Sequence, residues 1–139
     1  MENKTKITVT CSVTATIEKV WNYWTTPQHI EQWNNASDDW HTPKTVNDIR
    51  VGGTFIFTMA AKDGSFSFDF GGTYTEVTEN KSIKYTMEDG RTAAINFNSI
   101  GDAVEIVETF DAENQNPIDM QKGGWQTILN NFKKYVENN

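Results

Sequence analysis

Polar and apolar residues alternate strictly from Ile7 to Val13, with Ile7, Val9, Cys11 and Val13 on one side and Thr8, Thr10 and Ser12 on the other. A period of two sends successive side chains to opposite faces, so this segment is a half-buried strand with Cys11 on its apolar face. The period then changes. Ile17, Val20, Trp21 and Trp24 fall at i, i+3, i+4 and i+7, which predicts a short amphipathic helix capped by Thr16, with Glu18 complementing its dipole. Thr26-Pro27 repeats the start signal, and Ile30 and Trp33, three apart, mark a second short helix.

Beyond a loop from Asn34 to Asp39, alternation dominates. Phe55, Phe57 and Met59 share one strand face, and Phe66, Phe68 and Phe70 share another, whose parity Tyr74 continues past Gly71-Gly72. Further faces come from Ile83, Tyr85 and Met87, from Ile95 and Phe97, and from Val104, Ile106 and Phe110. Asp63-Gly64 and Asp89-Gly90 are strong hairpin signals, and Ile100-Gly101-Asp102 is a third turn. The pattern predicts about six antiparallel strands in a meander after the two helices. Helical spacing returns with Trp125, Ile128, Leu129, Phe132, Tyr135 and Val136; Asn116 is placed to cap this long helix and Pro117 to open it. Its apolar stripe must cover something, and the sheet is the only large partner.

A chain of 139 residues suits one domain spanning 1–139. Five Trp, eight Phe and four Tyr are more ring area than a small solid core requires, which points to a cavity. The net charge of −7, with no basic cluster longer than Lys133-Lys134, repels phosphate backbones and argues against nucleic acid as a partner. No apolar leader precedes the first strand and no run reaches membrane-spanning length, so the expectation is a soluble cytoplasmic protein with no membrane partner.

Candidate chemistry is sparse. His29 and His41 stand twelve apart around Asp38-Asp39, a spacing that does not converge three or four ligands, so neither a metal nor any other cofactor is expected. His29 is expected to face solvent and His41 to open a strand. Glu108 shares parity with Val104, Ile106 and Phe110, which aims a carboxylate at the concave face. Three roles stay open for it: a structural bond inside the protein, an anchor for a ligand hydroxyl or amine, and a general acid or base. Arg50 is expected to pair with Asp48 or a loop carbonyl, and Asp69 to lie on the convex surface.

Taken in order, Val20-Trp21, Thr25-Thr26-Pro27, Trp33, Asp48 to Phe55, Phe70-Gly71-Gly72-Thr73-Tyr74, Glu108-Thr109-Phe110 and Gly123-Gly124-Trp125 resemble a known series. It is similar to the START-like (SRPBCC) superfamily, in the branch of the activator of Hsp90 ATPase homologue 1-like proteins. That resemblance, from about Ile7 to Glu137, implies an α+β helix-grip (START/Bet v 1-like) fold: a curved antiparallel sheet wrapped around a long C-terminal helix, with two short helices after the first strand helping to close a cavity. It gives the glycines a reason. Gly52-Gly53 and Gly71-Gly72 are expected at bulges or bends of the curling sheet, and Gly123-Gly124 either at a close helix–sheet contact or at a hinge.

The expected function is a small-molecule-binding module for an apolar or amphipathic ligand. The inward-turned residues are Trp33, Trp40, Phe57, Met59, Phe68, Tyr74, Tyr85, Glu108, Trp125 and Leu129. Two alternatives stand beside it: an Hsp90-associated co-chaperone-like interaction protein, although 139 residues leave no room for the separate N-terminal domain of the eukaryotic co-chaperones, and a cyclase or hydrolase using the same cavity. No catalytic residue is assigned. Pairing of two copies through a sheet edge or the aromatic mouth is left open.

Overall fold

The structure, a computed structural model, describes residues 5–139. Strand β1 (Lys6–Val13) leads into helices α1 (Ile17–Thr25) and α2 (Pro27–Trp33), followed by β2 (Trp40–Asn47), β3 (Thr54–Ala61), β4 (Ser67–Thr78), β5 (Ser82–Met87), β6 (Thr92–Ile100), β7 (Ala103–Asp111) and the long helix α3 (Ile118–Asn138). All seven strands form one antiparallel sheet in the order β1-β7-β6-β5-β4-β3-β2. The sheet curls into a half-barrel around α3: the alternation and the terminal stripe predicted the sheet against the long helix, and the family resemblance implied the curl. Among the described residues no helix is long and apolar enough to cross a membrane.

The curl has identifiable causes, and they are not the glycine pairs. One extra residue enters β2 between His41 and Lys44, whose partners on β3 are Ala60 and Thr58, and another enters β4 between Tyr74 and Glu76, opposite Tyr85 and Lys84. Such bulges bend a strand and increase its twist. Gly72 lies instead in regular pairing, between Phe55 and Met87. It is glycine because a Cβ there would stand 2.5 Å from the Thr86 carbonyl and 3.1 Å from the Phe55 ring, so the missing side chain makes room for an aromatic one. Gly52 forms the turn before β3, where its φ of 84° favours glycine.

Helix starts follow the sequence unevenly. Thr16 caps α1 by accepting from the Lys19 amide at 3.2 Å, as expected. At α3 the expectation fails by one residue: Pro117 has extended backbone (φ −57°, ψ 147°) and is itself the cap, and the Asn116 side chain caps nothing. The preceding loop is organised by Glu113 and Gln121 instead.

Where the sheet begins and ends, Asp111 ties three strands together. Its carboxylate accepts from Lys6 Nζ on β1 (2.7 Å) and from the Thr92 amide and hydroxyl on β6 (2.9 Å each). Those donors hold its pKa down at about 2 although burial opposes them. Arg50 pairs with Asp48 as expected (Nε to Oδ2, 2.9 Å), and Asp69 is exposed, accepting from the Thr58 hydroxyl.

Candidate functional site

Between the concave sheet and α3 lies a cavity of about 370 Å³. It exists because the two surfaces do not mesh along their whole length. Leu129, Phe132 and Val136 on the later turns of α3 are completely buried against the sheet and the short helices. Toward the start of α3, Gly123 and Gly124 carry no side chain, and a Cβ at either would meet nothing within 4 Å. The close-contact expectation for this pair is therefore overturned: Gly124 borders the void, and the exposed Gly123 borders solvent.

Aromatic rings build the walls. Trp125 stacks face to face on Phe110 (centroids 3.7 Å apart, planes 11° apart), and Phe70 meets the Trp125 ring edge-on at 6.2 Å. Phe55 joins Phe57, Tyr74 and Tyr85 at 4.9–5.1 Å. The floor toward the short helices is Trp24 and Trp33, 5.0 Å apart, with Leu129 beside them. At the other end Gln121 closes the β7–α3 loop: its Oε1 accepts from the Glu113 amide (2.9 Å), and its Nε2 donates to the carbonyls of Glu113 (3.1 Å) and Asn116 (2.8 Å). Nothing in the periodicity marks Gln121, since its partners lie on an irregular loop.

Of the ten residues turned inward by parity or helical phase, the structure brings nine to this cavity: Trp33, Phe57, Met59, Phe68, Tyr74, Tyr85, Glu108, Trp125 and Leu129. Trp40 is not among the lining residues. The bulge that follows it shifts β2 by one residue, and its indole leans outward against Phe66 (6.1 Å) and Phe68 (6.0 Å), forming an apolar rim with two exposed phenylalanines. His29 also departs from its expected place. It is half-buried, stacks on Tyr23 at 3.9 Å, and shares a hydrogen bond between Nδ1 and the Tyr135 hydroxyl at 2.7 Å, joining α2 to α3. The loop after α2 is fastened as well, by Asn131 donating to the Asn35 carbonyl and by mutual bonds of Asn34 with Thr42.

Polar groups divide into engaged and unengaged. Trp33 donates its indole N–H to the Tyr23 carbonyl (3.0 Å), the Tyr74 hydroxyl donates to Asn47, and Arg91 Nε is held by Asp89 at 2.7 Å. Glu108 is different. It is 7% exposed, sits mid-strand between Val9 and Ile95 on the neighbouring strands, and its carboxyl makes no hydrogen bond or ion pair among the described residues. Burial pushes its pKa up to about 8, with no cation offsetting it. The Tyr85 hydroxyl, also facing the cavity, makes no bond either; burial first, and the Glu108 charge second, push its pKa well up. Burial likewise raises the Cys11 thiol to about 12, which makes it a poor nucleophile.

Comparison with known proteins now fits the geometry. The sequence pattern of the family described as activator of Hsp90 ATPase homolog 1-like protein matches residues 14–137. The solution structure of an AHSA1-like protein from Aeromonas hydrophila is similar at 45% identity, with a TM-score of 0.91 over 96% of this chain and 93% of that one. A solution structure from Cytophaga hutchinsonii has 56% identity and a TM-score of 0.84, covering 96% and 92%. A crystal structure from Chromobacterium violaceum, 21% identical with a TM-score of 0.85 over 95% and 96%, shares the fold. No curated protein matches the chain. With the helix-grip architecture in place and the match running through nearly every element, the chain belongs to the activator of Hsp90 ATPase homologue 1-like family of the START-like superfamily.

Proposed function

We propose that the domain is a small-molecule-binding module whose ligand, apolar or amphipathic, occupies the cavity between the sheet and α3. The carrying observation is the void itself. Close-packed interiors leave few spaces larger than a water molecule, yet this chain keeps about 370 Å³ open beneath aromatic walls, within the size range of ligand pockets. Apolar residues make up most of its lining, so apolar contact supplies most of the affinity and Glu108 and Tyr85 supply orientation. Native mass spectrometry of the protein as purified, followed by thermal shift with fatty acids, sterols and aromatic polyketides, tests the reading. A retained small molecule or a raised Tm supports it; an empty protein that no such compound stabilises counts against it.

Two other readings rest on narrower observations. The family description names Hsp90 activation, so a co-chaperone-like interaction is tested by whether the protein captures Hsp90 and stimulates its ATPase. Glu108, free of internal bonds, has the accessibility that a cyclase or hydrolase acid would need. Turnover unchanged in Glu108→Gln on an identified substrate would remove it from that role.

A further inference from the structure

The ligand-binding reading leaves open what polar group the cavity recognises, and the arrangement around Glu108 narrows the choice. A carboxyl group that is more than nine-tenths buried normally has its lone pairs met by donors or a cation. Here the lateral neighbours are Val9 and Ile95, both 1% exposed, and no donor among the described residues reaches the group. The titratable groups near it are Tyr85 on β5 and Cys11 on β1, with Tyr74 on β4 in the same wall but bonded to Asn47; at the ends of the cavity stand Arg91, held by Asp89, and Glu113, whose carboxylate accepts from the Asn116 amide at 2.6 Å. From the helices, Trp24, Trp33, Gln121, Trp125 and Ile128 face the same space and none titrates. The cavity therefore holds an acidic group and aromatic faces, and Arg91, the one cation among its described lining residues, is already engaged by a carboxylate.

That combination is complementary to an organic cation. Aromatic faces attract ammonium groups through their quadrupoles, and the chain's net charge of −7 favours the approach of positive ligands. A carboxylate ligand would instead bring its negative charge into the same apolar surroundings that disfavour ionised Glu108, with no free cation among the described lining residues to meet it. We propose that the cavity binds an apolar amine, its ammonium nitrogen against Glu108 and the Tyr85 hydroxyl and its hydrocarbon among Phe57, Phe70 and Trp125. This rests on the ligand-binding reading and specifies the ligand's head group. The protons balance as follows: the ligand keeps its ammonium proton, and Glu108, protonated in the empty cavity at neutral pH, releases its own to solvent.

The test is a head-group series on one tail, octylamine, 1-octanol and octanoate, titrated by calorimetry at pH 7. The amine is expected to bind about 10- to 100-fold more tightly than the alcohol, the value of one charge-assisted hydrogen bond, and octanoate most weakly. Repeating the amine titration in buffers of different ionisation heat should count release of about one proton, and affinity should rise from pH 6 to pH 8. In Glu108→Gln the preference over octanol should vanish while octanol binding persists. If octanol or octanoate binds the native protein as tightly as octylamine, or the preference for the amine survives unchanged in Glu108→Gln, the ammonium assignment is wrong although the cavity still binds ligands. If none of the three binds, the ligand-binding reading fails with it. The series on the native protein decides the matter even should the variant not fold.

Discussion

Two aromatic regions meet beneath the short helices, and they behave in opposite ways. On one side Trp21 and Trp24 set their rings edge-on to Phe97 (5.6 and 5.5 Å), and Phe132 fits between Trp24 and Trp33 (4.8 and 4.9 Å) with no exposed surface. On the other side Phe57, Phe70 and Trp125 surround empty space. Similar composition thus yields a solid core in one place and a cavity in the other. The difference lies in what α3 presents: Leu129, Phe132 and Val136 along its second half, Gly123 and Gly124 in its first. Polar satisfaction follows the same division. The Trp33 indole, where the solid region floors the cavity, is bonded to the Tyr23 carbonyl, whereas Glu108 and Tyr85 face the void unbonded among the described residues.

The strongest way to break the contrast is to make the solid region hollow. Phe132→Ala should cost about 3–5 kcal/mol in denaturant unfolding, the usual loss for a fully buried ring. Phe57→Ala, at a half-buried ring already beside the void, should cost less than half as much. Equal losses would mean the cavity is as tightly packed as the core.

Next in size is Glu108. Its folded pKa of about 8 lies above the ordinary 4.5, so the fold prefers the protonated form. That contribution is fully present below pH 4.5 and is lost as pH rises to about 8. Glu108→Gln should therefore have little effect at pH 4 and stabilise the protein by several kcal/mol at pH 9, read from urea unfolding at both values. A pH-independent difference would show the carboxyl to be solvated.

Asp111 works with the opposite sign, because its donors favour the charged form. Its contribution is present above pH 3.8 and is lost as pH falls through about 2. Asp111→Asn should cost about 2 kcal/mol at pH 7, and its difference from the native protein should shrink on acidification across that window. The smallest effect belongs to Gly124→Ala. With no atom within 4 Å of the added Cβ, it should stabilise α3 by about 0.5–1 kcal/mol while reducing the capacity of the cavity, seen as a raised Tm with weakened octanol binding.

Much of this was legible in the primary structure because it depends on period. Strand β1, strands β3 to β7, the three helices and the inward parity of Tyr85 and Glu108 follow from alternation or from the 3.6-residue repeat. Trp40 was misplaced because parity counting fails across an inserted residue, and Pro43, which lies within that bulge, is its one local sign. Gly72 was read as a bend when its reason is the Phe55 ring on the next strand, a contact that sequence spacing does not display. His29 and Gln121 take their roles from Tyr135 and from the Glu113–Asn116 loop, partners fixed only by tertiary structure.

The central claim is that the void, and not the aromatic cluster beside it, receives a guest. Five tryptophans give five indole N–H signals in a ¹H–¹⁵N spectrum, and they sample both regions. On titration with 1-octanol the Trp125 signal, from the cavity wall, should shift most, while that of Trp21, buried in the solid cluster and away from the cavity, should stay in place. Movement of Trp21 with Trp125 unmoved, or no movement at saturating octanol, would contradict the account.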